Sequence, residues 1–260
     1  MNGRSQFRGW VPDLPDFRDY KYQVPAQLPA SPQAAVDMKA IFPAVYYQDT
    51  INSCTANAIA GAFEFELSKE KLPPLDPSVL FIYYNQRVLQ NSVNVDSGAS
   101  IRDGLHTMRH QGVCSDAQWP YIIHEFTKKP FESCYKNALK HKIKNYYHLD
   151  QDINQMKACL ADSHPFVFGF SVYESFFDPQ VAHTGTVDLP KKGEDRIFGH
   201  AVVAVGYDDQ QERFILRNSW GNAWGNQGYF TLPYAYLLDK SLSQNFWTIR
   251  LTADTAVQPG

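Results

Sequence analysis

Hydrophobic residues follow two different spacings along this chain, and the change falls just past its middle. In the first half, apolar positions recur at helical intervals, which predicts helices over residues 54–69, 76–89 and 100–110. Asp76 is expected to cap the second of these helices, with a proline in its first turn, and Ser100 is expected to cap the third. The first half of the chain is therefore predicted to be helical.

The second half is richer in predicted strands. Residues 152–161 form one more predicted helix, and 166–172 form an apolar run typical of a buried strand. A second apolar run at 201–205 is stopped by a glycine, and a polar turn at 208–212 leads into a further strand at 214–216. A helix-rich half followed by a strand-rich half predicts an α+β protein with two lobes and a cleft between them.

The N-terminal part of the chain has a different composition. Its first 47 residues contain six prolines, so helices are not expected to persist there. Aromatic residues in the same part provide apolar anchors, namely Trp10, Phe17, Tyr20 and Tyr22. We therefore expect residues 1–32 to form a strap laid over the globule. The favoured interpretation is a passive strap that stabilises the strand lobe, and the alternative is a regulatory segment that crosses the cleft and restrains activity.

These changes in pattern also predict the domain boundaries. One domain is expected over residues 33–250, following the strap. Its helical lobe is predicted at about 48–145, and its strand lobe at about 146–250 together with the N-terminal entry. Residues 251–260 are interpreted as a C-terminal tail.

Two neighbouring predicted strands carry the first candidates for chemistry. His200 opens one strand, where packing does not require a histidine, and Asn218 follows the returning strand. Antiparallel strands of this length bring these two side chains within hydrogen-bond reach. Trp220 follows closely and would shield the pair from water. A histidine that is oriented by an amide is typical of nucleophilic catalysis, and it lacks only its nucleophile.

Composition and charge narrow the class of protein. The 260 residues are 44% hydrophobic and 20% charged, which suits one large domain or two lobes that share a cleft. The net charge of −3 and the pI of about 6.2 do not indicate binding to nucleic acid or to an anionic membrane. No apolar run approaches the roughly 18 residues of a membrane span.

The N-terminus leads to an expectation about the compartment. Residues 1–10 are polar and basic and lack the apolar stretch of a signal peptide. The chain is therefore expected to be cytosolic as written, or secreted if Met1 is not the natural start. Composition does not separate these two cases.

The cysteines do not form a metal-binding or redox motif, because no two of them make a C-x-x-C pair. Four cysteines in 260 residues are also too few for a disulfide scaffold. One of them is therefore a candidate nucleophile. The four are Cys54, Cys114, Cys134 and Cys159.

Cys54 is the best candidate because it begins the predicted helix 54–69, with Asn52 or Ser53 as its cap. Unpaired N–H groups and the helix dipole stabilise an anion there, and a nearby imidazolium would lower the pKa of the thiol further. Gln48 precedes it by six residues, and its amide would complete an oxyanion hole with the Cys54 N–H. An inert, buried cysteine is the alternative.

In this order, the residues resemble the papain-like cysteine peptidases, and above all their bacterial members. The resemblance is carried by Gln48, Cys54, HAVVAVGY from His200 and NSWGNAWGNQGY from Asn218, and weaker likeness covers 33–247. His200 and Asn218 follow Cys54 by 146 and 164 residues. The resemblance implies a helical left lobe, an antiparallel β-barrel-like right lobe and a Cys-His-Asn triad whose oxyanion hole is completed by Gln48.

The segment around the nucleophile departs from the family pattern C-G-[SA]-C-[WY]. Asn52 replaces the glycine that admits the substrate backbone, and Thr55 replaces an aromatic residue. Ile51 and Asp96 stand at the two positions of a family disulfide, so both halves of that disulfide are lost together. This loss is consistent with a reducing compartment or with a lobe that is stable without the bond. The family's usual long helical propeptide also has no counterpart before the domain.

The resemblance also implies a set of substrate-binding positions. The glycine pair that binds extended substrate is reduced to Gly98-Ala99, which narrows the floor of the cleft. Gly199 and Ala201 lie near the pocket for the side chain two residues upstream of the cut, and their small size indicates an apolar pocket. The predicted substrate-binding residues are Asn52, Ser53, Gly98, Ala99, Gly199, Ala201 and Trp220.

The function predicted from these features is an endopeptidase that cleaves polypeptides through a thioacyl-enzyme intermediate. An acyltransferase, transglutaminase or deamidase with the same triad is an open alternative. The features that support this alternative are Asn52 and the narrowed Gly98-Ala99. A catalytically silent binding protein with the papain fold is a second alternative, and the retention of all four site residues argues against it.

No cofactor and no metal are predicted, and a monomer is expected. His106 and His110 are spaced i, i+4 on a predicted helix, which is a spacing that can hold a metal. No acidic partner lies between them and no third ligand is evident, so surface or core histidines are the favoured interpretation.

Overall fold

The computed structural model describes residues 9–26 and 33–252. Seven helices and three short 3-10 turns lie within these ranges. The helices are α1 (Cys54–Lys69), α2 (Val79–Leu89), α3 (Ile101–His110), α4 (Glu132–Ala138), α5 (Ile153–Ala161), α6 (Pro179–Thr184) and α7 (Tyr234–Leu238). The 3-10 turns are Lys39–Ile41, Ile123–Glu125 and Glu174–Phe177. Parts of the predicted strap and tail, at 1–8, 27–32 and 253–260, lie outside the described residues.

The described strands form one antiparallel sheet. They are β1 (Ala35–Asp37), β2 (Asn145–His148), β3 (Phe166–Tyr173), β4 (Arg196–Asp208), β5 (Arg213–Arg217), β6 (Tyr229–Pro233) and β7 (Ser243–Arg250). Their order is β2-β7-β3-β4-β5-β6, and β1 pairs with the far end of β4. The α+β class and the papain-like lobes are confirmed, although the described sheet is open and does not close into a barrel.

Helix α1 is the element shared by the two lobes. It contacts α2 and α3 on one side and β4 on the other, and nearly all of its side chains are buried. A helix that is covered on every face needs small residues where its neighbours approach closely, and α1 carries several alanines and a glycine. The partner helix α3 approaches at Gly104, where a Cβ would lie 2.3 Å from Cδ1 of Ile59.

The helix caps show which of the predicted capping residues are right and which are wrong. Ser100 and Asp152 cap α3 and α5 by accepting hydrogen bonds from N–H groups in the first turn, and Ser100 was predicted to do so. The predicted start of α2 at Asp76 is wrong, because the Ser78 hydroxyl accepts from the Phe81 N–H at 3.1 Å and begins the helix there. Pro77 instead pairs with Ser115 in an isolated antiparallel bridge.

Several elements were not predicted from the local pattern. They are α4, α6, α7 and the strands β1, β6 and β7. The strands among them are short or are paired with distant parts of the chain, as β7 is with β2 and β3. The core of the strand lobe is an aromatic cluster that brings these segments together, comprising Phe166, Phe168, Phe170, Phe176, Phe214, Phe230 and Phe246.

Arg217, at the end of β5, holds the entry to the helical lobe against the sheet. It is buried, and its guanidinium donates to the carbonyl oxygens of Pro43 at 2.8 Å and Ala44 at 2.6 Å. The same group lies over the rings of Phe42 and Tyr46, each at 5.4 Å. It therefore fixes the segment that leads into Gln48, the first of the predicted site residues.

We predict that Arg217→Met destabilises the protein by about 2 to 3 kcal/mol, because two charge-assisted hydrogen bonds are lost from a buried site. Denaturant unfolding measures the change in the free energy of unfolding. Arg18→Met is the matched control, because the guanidinium of Arg18 is largely exposed and bonds Asp16 two residues away. Equal stability of the two variants would contradict the role given to Arg217.

Candidate active site

His200 and Asn218 are joined by a hydrogen bond within the strand lobe. The expectation that His200 opens its strand is wrong, because β4 already begins at Arg196. Strands β4 and β5 pair with Val203 opposite Arg217, which brings His200, three residues before Val203, beside the residue that follows β5. His200 Nε2 donates to Asn218 Oδ1 at 2.8 Å, and both side chains are buried. The same oxygen accepts from the Ser219 N–H at 2.9 Å, which fixes the orientation of the amide. This arrangement places the ring proton of His200 on Nε2 and leaves Nδ1 as a proton acceptor.

Trp220 covers this pair from one side. Its ring lies 5.2 Å from the His200 ring, and Phe176 meets it edge-on at 5.4 Å. Phe177 stacks on its other side at 6.1 Å and is half exposed. The histidine–asparagine bond is therefore enclosed by aromatic rings, where a hydrogen bond is stronger than in water.

Cys54 is the first residue of α1, and the two lobes meet at its sulfur. Burial raises the pKa of the Cys54 thiol, and the backbone N–H groups of Ala201, Thr55 and Cys54 itself lower it, so these groups lie near the sulfur. Ala201 follows His200 directly on β4, so the imidazole and the thiol belong to the same small region. N–H groups at the start of a helix favour an anion there.

The expected side-chain cap of α1 is wrong. Ser53 occupies the cap position, but its hydroxyl pairs with the Tyr121 hydroxyl at 2.6 Å and accepts from Asn57 Nδ2 at 3.0 Å. Asn52 is directed to another loop. Because neither side chain bonds the first-turn N–H groups, those groups remain available to the sulfur.

Burial opposes ionisation at both reactive groups. It raises the pKa of the Cys54 thiol to about 12, against the lowering by the three N–H groups. It lowers the pKa of His200 to about 4, and the bond to Asn218 offsets this only in part. The expected lowering of the Cys54 pKa is therefore wrong for this arrangement, because desolvation outweighs the helix terminus. At neutral pH, the pair is a neutral thiol beside a neutral imidazole.

Gln48 lies between the two lobes and is buried. Its Oε1 accepts from the Ser219 hydroxyl at 2.6 Å, and its backbone N–H donates to the Ser219 carbonyl at 2.8 Å. Its Nε2 donates one hydrogen to the Ile51 carbonyl at 3.1 Å, and an amide nitrogen has two hydrogens to give. The second N–H is thus available beside the loop that leads to Cys54.

Asn52 and Asp96 join the two loops where the family has its disulfide. The Asp96 carboxylate accepts from the Asn52 backbone N–H at 2.9 Å and from Asn52 Nδ2 at 3.0 Å. Nδ2 also donates to the Asp96 carbonyl at 2.9 Å, and the Tyr83 hydroxyl donates to the same carboxylate. By the family resemblance, Ile51 and Asp96 stand at the positions of a disulfide, and in this structure hydrogen bonds between Asn52 and Asp96 connect the two loops there.

The strap passes directly over the sulfur. A Cβ added to Gly9 would lie 2.7 Å from Cys54 Sγ, so only a glycine fits there. Val11 N–H donates to the Ala99 carbonyl at 3.0 Å, and Ala99 N–H donates to the Gly9 carbonyl at 3.2 Å. Trp10 N–H donates to the Gly199 carbonyl at 3.1 Å. The strap thus pairs with both walls of the cleft.

The predicted substrate residues separate into two groups. Gly98, Ala99, Gly199, Ala201 and Trp220 lie around the cleft, where Ala99 and Gly199 bond the strap. By contrast, the polar groups of Asn52 and Ser53 are committed within the helical lobe and both residues are buried. Sequence reasoning missed Gly9, Trp10 and Gly169 as cleft residues, and a glycine interrupting the aromatic β3 run was the available signal.

The residues outside the cleft offer fewer reactive groups than the cleft does. The rings of His106 and His110 lie 4.3 Å apart, and no group of three potential metal ligands occurs within residues 9–26 and 33–252. All four cysteines are free thiols and are buried. Within the same ranges, no helix is both long and apolar enough to span a membrane.

A two-lobed α+β fold with a buried cysteine, histidine and asparagine at the lobe junction defines a cysteine-protease class of site. The family model "Papain family cysteine protease" matches residues 34–237, and the chain belongs to this family. It is therefore a papain-like cysteine protease, a hydrolase.

Known relatives agree with this assignment. The structure of xylellain, a cysteine protease from Xylella fastidiosa, superimposes with a TM-score of 0.91 at 41% identity, covering 97% of this chain and 99% of that one. An uncharacterized peptidase C1-like protein of Acanthamoeba polyphaga mimivirus is 42% identical over 81% of this chain and 70% of its own length. Cathepsin K of Mus musculus is 26% identical over 87% of this chain, which spans 61% of that protein.

We predict that Asp96→Ala lowers the free energy of unfolding by about 2 to 4 kcal/mol, because three donors from Asn52 and Tyr83 lose their acceptor. Thermal or denaturant unfolding measures this, with Asp195→Ala as a control at an exposed aspartate. An Asp96→Ala variant as stable as the control would show that the hydrogen bonds do not replace the lost disulfide.

Proposed function

We propose that this protein is an endopeptidase in which Cys54, His200 and Asn218 form the catalytic triad. The observation that carries the proposal is the 2.8 Å hydrogen bond from His200 to Asn218, which fixes the tautomer of the histidine, in a site where Cys54 is the first residue of α1. Burial raises the pKa of the Cys54 thiol, and neighbouring backbone N–H groups lower it. This combination is suited to form and stabilise a thiolate nucleophile.

The proposed reaction has two stages. The thiol proton passes to His200 Nδ1, and the sulfur bonds to the carbonyl carbon of the substrate. The C–N bond then breaks as His200 returns the proton to the leaving amine, which leaves a thioacyl enzyme. Water adds to this thioester with His200 as general base, and the acid product departs as the Cys54 thiol is restored.

Gln48 would stabilise the oxyanion that forms during both stages. Its Nε2 has one hydrogen left after the bond to the Ile51 carbonyl, and Ser219 holds its amide in place through Oε1. The backbone N–H of Cys54 is the second donor. Preorganised donors of this kind contribute on the order of 100-fold to 1000-fold in kcat.

The acyl-transfer alternative loses its main structural support. Asn52 and the narrowed Gly98-Ala99 kept that alternative open, but the Asn52 amide is bonded to Asp96 within the helical lobe. Among the described residues, no specific contact favours an acceptor other than water. Hydrolysis is therefore the reaction that the site supports best.

We also propose that the strap inhibits the enzyme. Gly9 covers Cys54, and Trp10 occupies the apolar pocket beside Gly199. The family resemblance implies that the substrate residue whose side chain enters this pocket comes before the cut bond in the substrate chain. In the strap, by contrast, Trp10 comes after Gly9, which is the residue that lies on the sulfur. The strap therefore runs opposite to a substrate, and its parallel pairing with Ala99 fits this direction. A reversed backbone blocks the cleft without being cut.

A second attachment holds the strap outside the cleft. The Arg102 guanidinium donates to the Asp19 carboxylate from Nε at 3.0 Å and to the Leu14 carbonyl at 2.7 Å. The half-buried Asp13 carboxylate accepts from the Trp247 Nε1–H at 2.9 Å and from the Arg102 backbone N–H at 3.3 Å. Arg102 belongs to the helical lobe and Trp247 to the strand lobe, so this attachment bridges the cleft.

We predict that Trp10→Ala raises kcat/KM for peptide hydrolysis by up to about 100-fold. Burying an indole contributes about 3 kcal/mol, which corresponds to that change in the ratio of covered to open cleft. Once water reaches the site, the desolvation that keeps Cys54 and His200 neutral is relieved. Alkylation of Cys54 by iodoacetamide at neutral pH should therefore accelerate in parallel.

The inhibitory role also predicts an effect away from the cleft. Arg102→Gln should raise kcat/KM by several-fold to about 10-fold, because it removes the ion pair to Asp19 without touching the cleft. Arg18→Gln is the control, since Arg18 bonds Asp16 within the strap itself. If folded Trp10→Ala and Arg102→Gln variants were no more active than wild type, the strap would be a passive support.

The triad is tested in the strap-released Trp10→Ala background. Cys54→Ala should abolish hydrolysis, and Asn218→Ala should lower kcat on the order of 100-fold, because His200 loses its fixed tautomer. Cys159→Ala should retain activity, since that thiol lies outside the cleft. Hydrolysis by the Cys54→Ala variant would exclude the proposed mechanism.

A further inference from the structure

The two donors proposed for the oxyanion hole lie on different segments of the chain. Gln48 belongs to the segment that leads into α1, and the Cys54 N–H belongs to the first turn of that helix. Two donors act on one oxyanion only while their separation is fixed, and a displacement of about 1 Å can cost on the order of 100-fold in rate. A link between the two segments would therefore matter for catalysis.

The Tyr121 hydroxyl provides such a link. It donates to the Gln48 carbonyl at 2.8 Å, and it lies 2.6 Å from the Ser53 hydroxyl. A tyrosine hydroxyl has one hydrogen, so once that hydrogen is given to Gln48 the oxygen accepts from Ser53. Burial raises the pKa of Tyr121 well above its ordinary value, so the hydroxyl keeps its hydrogen at neutral pH. One hydroxyl thus joins Gln48 to the residue that precedes the nucleophile.

The Ser53 end of this link is held by Asn57. The Ser53 hydroxyl accepts from Asn57 Nδ2 at 3.0 Å. The Ser53 carbonyl accepts from the same Nδ2 and from the Asn57 backbone N–H, each at 3.0 Å. This carbonyl and the Cys54 N–H belong to one planar peptide group. Fixing the carbonyl therefore also fixes the direction in which the Cys54 N–H points.

The loop that carries Tyr121 is anchored to the helical lobe. Trp119, two residues earlier, is buried, and its carbonyl accepts from the Ser78 hydroxyl at 2.5 Å. The same hydroxyl accepts from the Phe81 N–H and so caps α2. Tyr121 is therefore supported by the start of a helix, which suits a residue that positions others.

We infer that Tyr121 is a positioning residue, which keeps Gln48 and the Cys54 N–H at a fixed separation as the two donors of the oxyanion hole. It acts through Gln48 and Ser53 and is not itself a donor to the oxyanion. The inference rests on the proposed peptidase function. A tyrosine that only filled space could be replaced by phenylalanine without loss, so the hydroxyl is the group to test.

The effect of the hydroxyl is measured with Tyr121→Phe in the full chain carrying Trp10→Ala, and the substrate is a fluorogenic peptide amide. We expect kcat to fall about 10-fold while KM changes less than about twofold, because the oxyanion develops only in the transition state. Tyr135→Phe is the matched control, since the Tyr135 hydroxyl bonds Asn85 within the helical lobe. The control should leave kcat unchanged.

Alkylation of Cys54 by iodoacetamide separates the positioning of the donors from damage to the nucleophile. The sulfur displaces iodide from a saturated carbon, so no oxyanion forms in this reaction. The alkylation rate of the Tyr121→Phe variant should therefore stay within about twofold of its Trp10→Ala parent. If alkylation slows as much as kcat falls, Tyr121 supports the nucleophile instead, and the inference is wrong.

A double substitution shows whether Tyr121 acts through Gln48. Gln48→Ala alone should lower kcat on the order of 100-fold, and adding Tyr121→Phe should then cost less than about twofold more. A full additional loss of about 10-fold would contradict the inference, because independent effects add. Ser53→Ala breaks the same link at its other end. It should lower kcat without slowing alkylation, and it keeps the test decisive if Tyr121→Phe fails to fold.

The outcomes separate this inference from the proposed function. If the peptide is cut and Tyr121→Phe is as active as Tyr135→Phe, the positioning role is refuted and the peptidase stands. If the Trp10→Ala chain cuts no peptide, the proposed function fails and the inference fails with it. A loss of kcat that spares alkylation and depends on Gln48 supports both.

Discussion

The contact between the start of α1 and strand β4 is the constraint on which the rest of this structure depends. Through it, Ala201 lies near the Cys54 sulfur, and the residue before Ala201 is the histidine of the site. The helix supplies its own unpaired N–H groups, and the strand supplies the imidazole. Neither lobe contains the chemistry alone, so the packing of α1 between them is also what assembles the active site.

The same burial that assembles the site also opposes ionisation of Cys54 and His200. Desolvation raises the pKa of the Cys54 thiol to about 12 and lowers that of His200 to about 4, so the covered pair is neutral. The backbone donors and Asn218 favour the charged forms, but they do not outweigh the exclusion of water. The strap lies on the sulfur and contributes to that exclusion. In the inhibition that we propose, one segment would therefore both block the cleft and disfavour the charged forms of the pair.

Contacts between residues that are close in the sequence could be predicted, whereas contacts between residues that are far apart in the sequence could not. The His200–Asn218 pair and the three main helices of the first half were predictable, because each follows from a local pattern or a short hairpin. The start of α2 was missed because Ser78, two residues beyond Asp76, offers its own cap. The Asn52–Asp96 link joins residues 44 apart, and no periodicity reports such a contact. The strap was predicted as a segment, and its path across the cleft was predicted only as the less favoured alternative.

The pairing of Trp10 with Gly169 explains why that path was not the favoured prediction. Each residue is unremarkable in its own segment, and the fit between them exists only after β3 and β4 have formed the pocket wall. A Cβ at position 169 would lie 1.9 Å from the indole, so a larger residue there would displace Trp10 and weaken the hold of the strap on the cleft. The position of the strap therefore depends on one absent side chain.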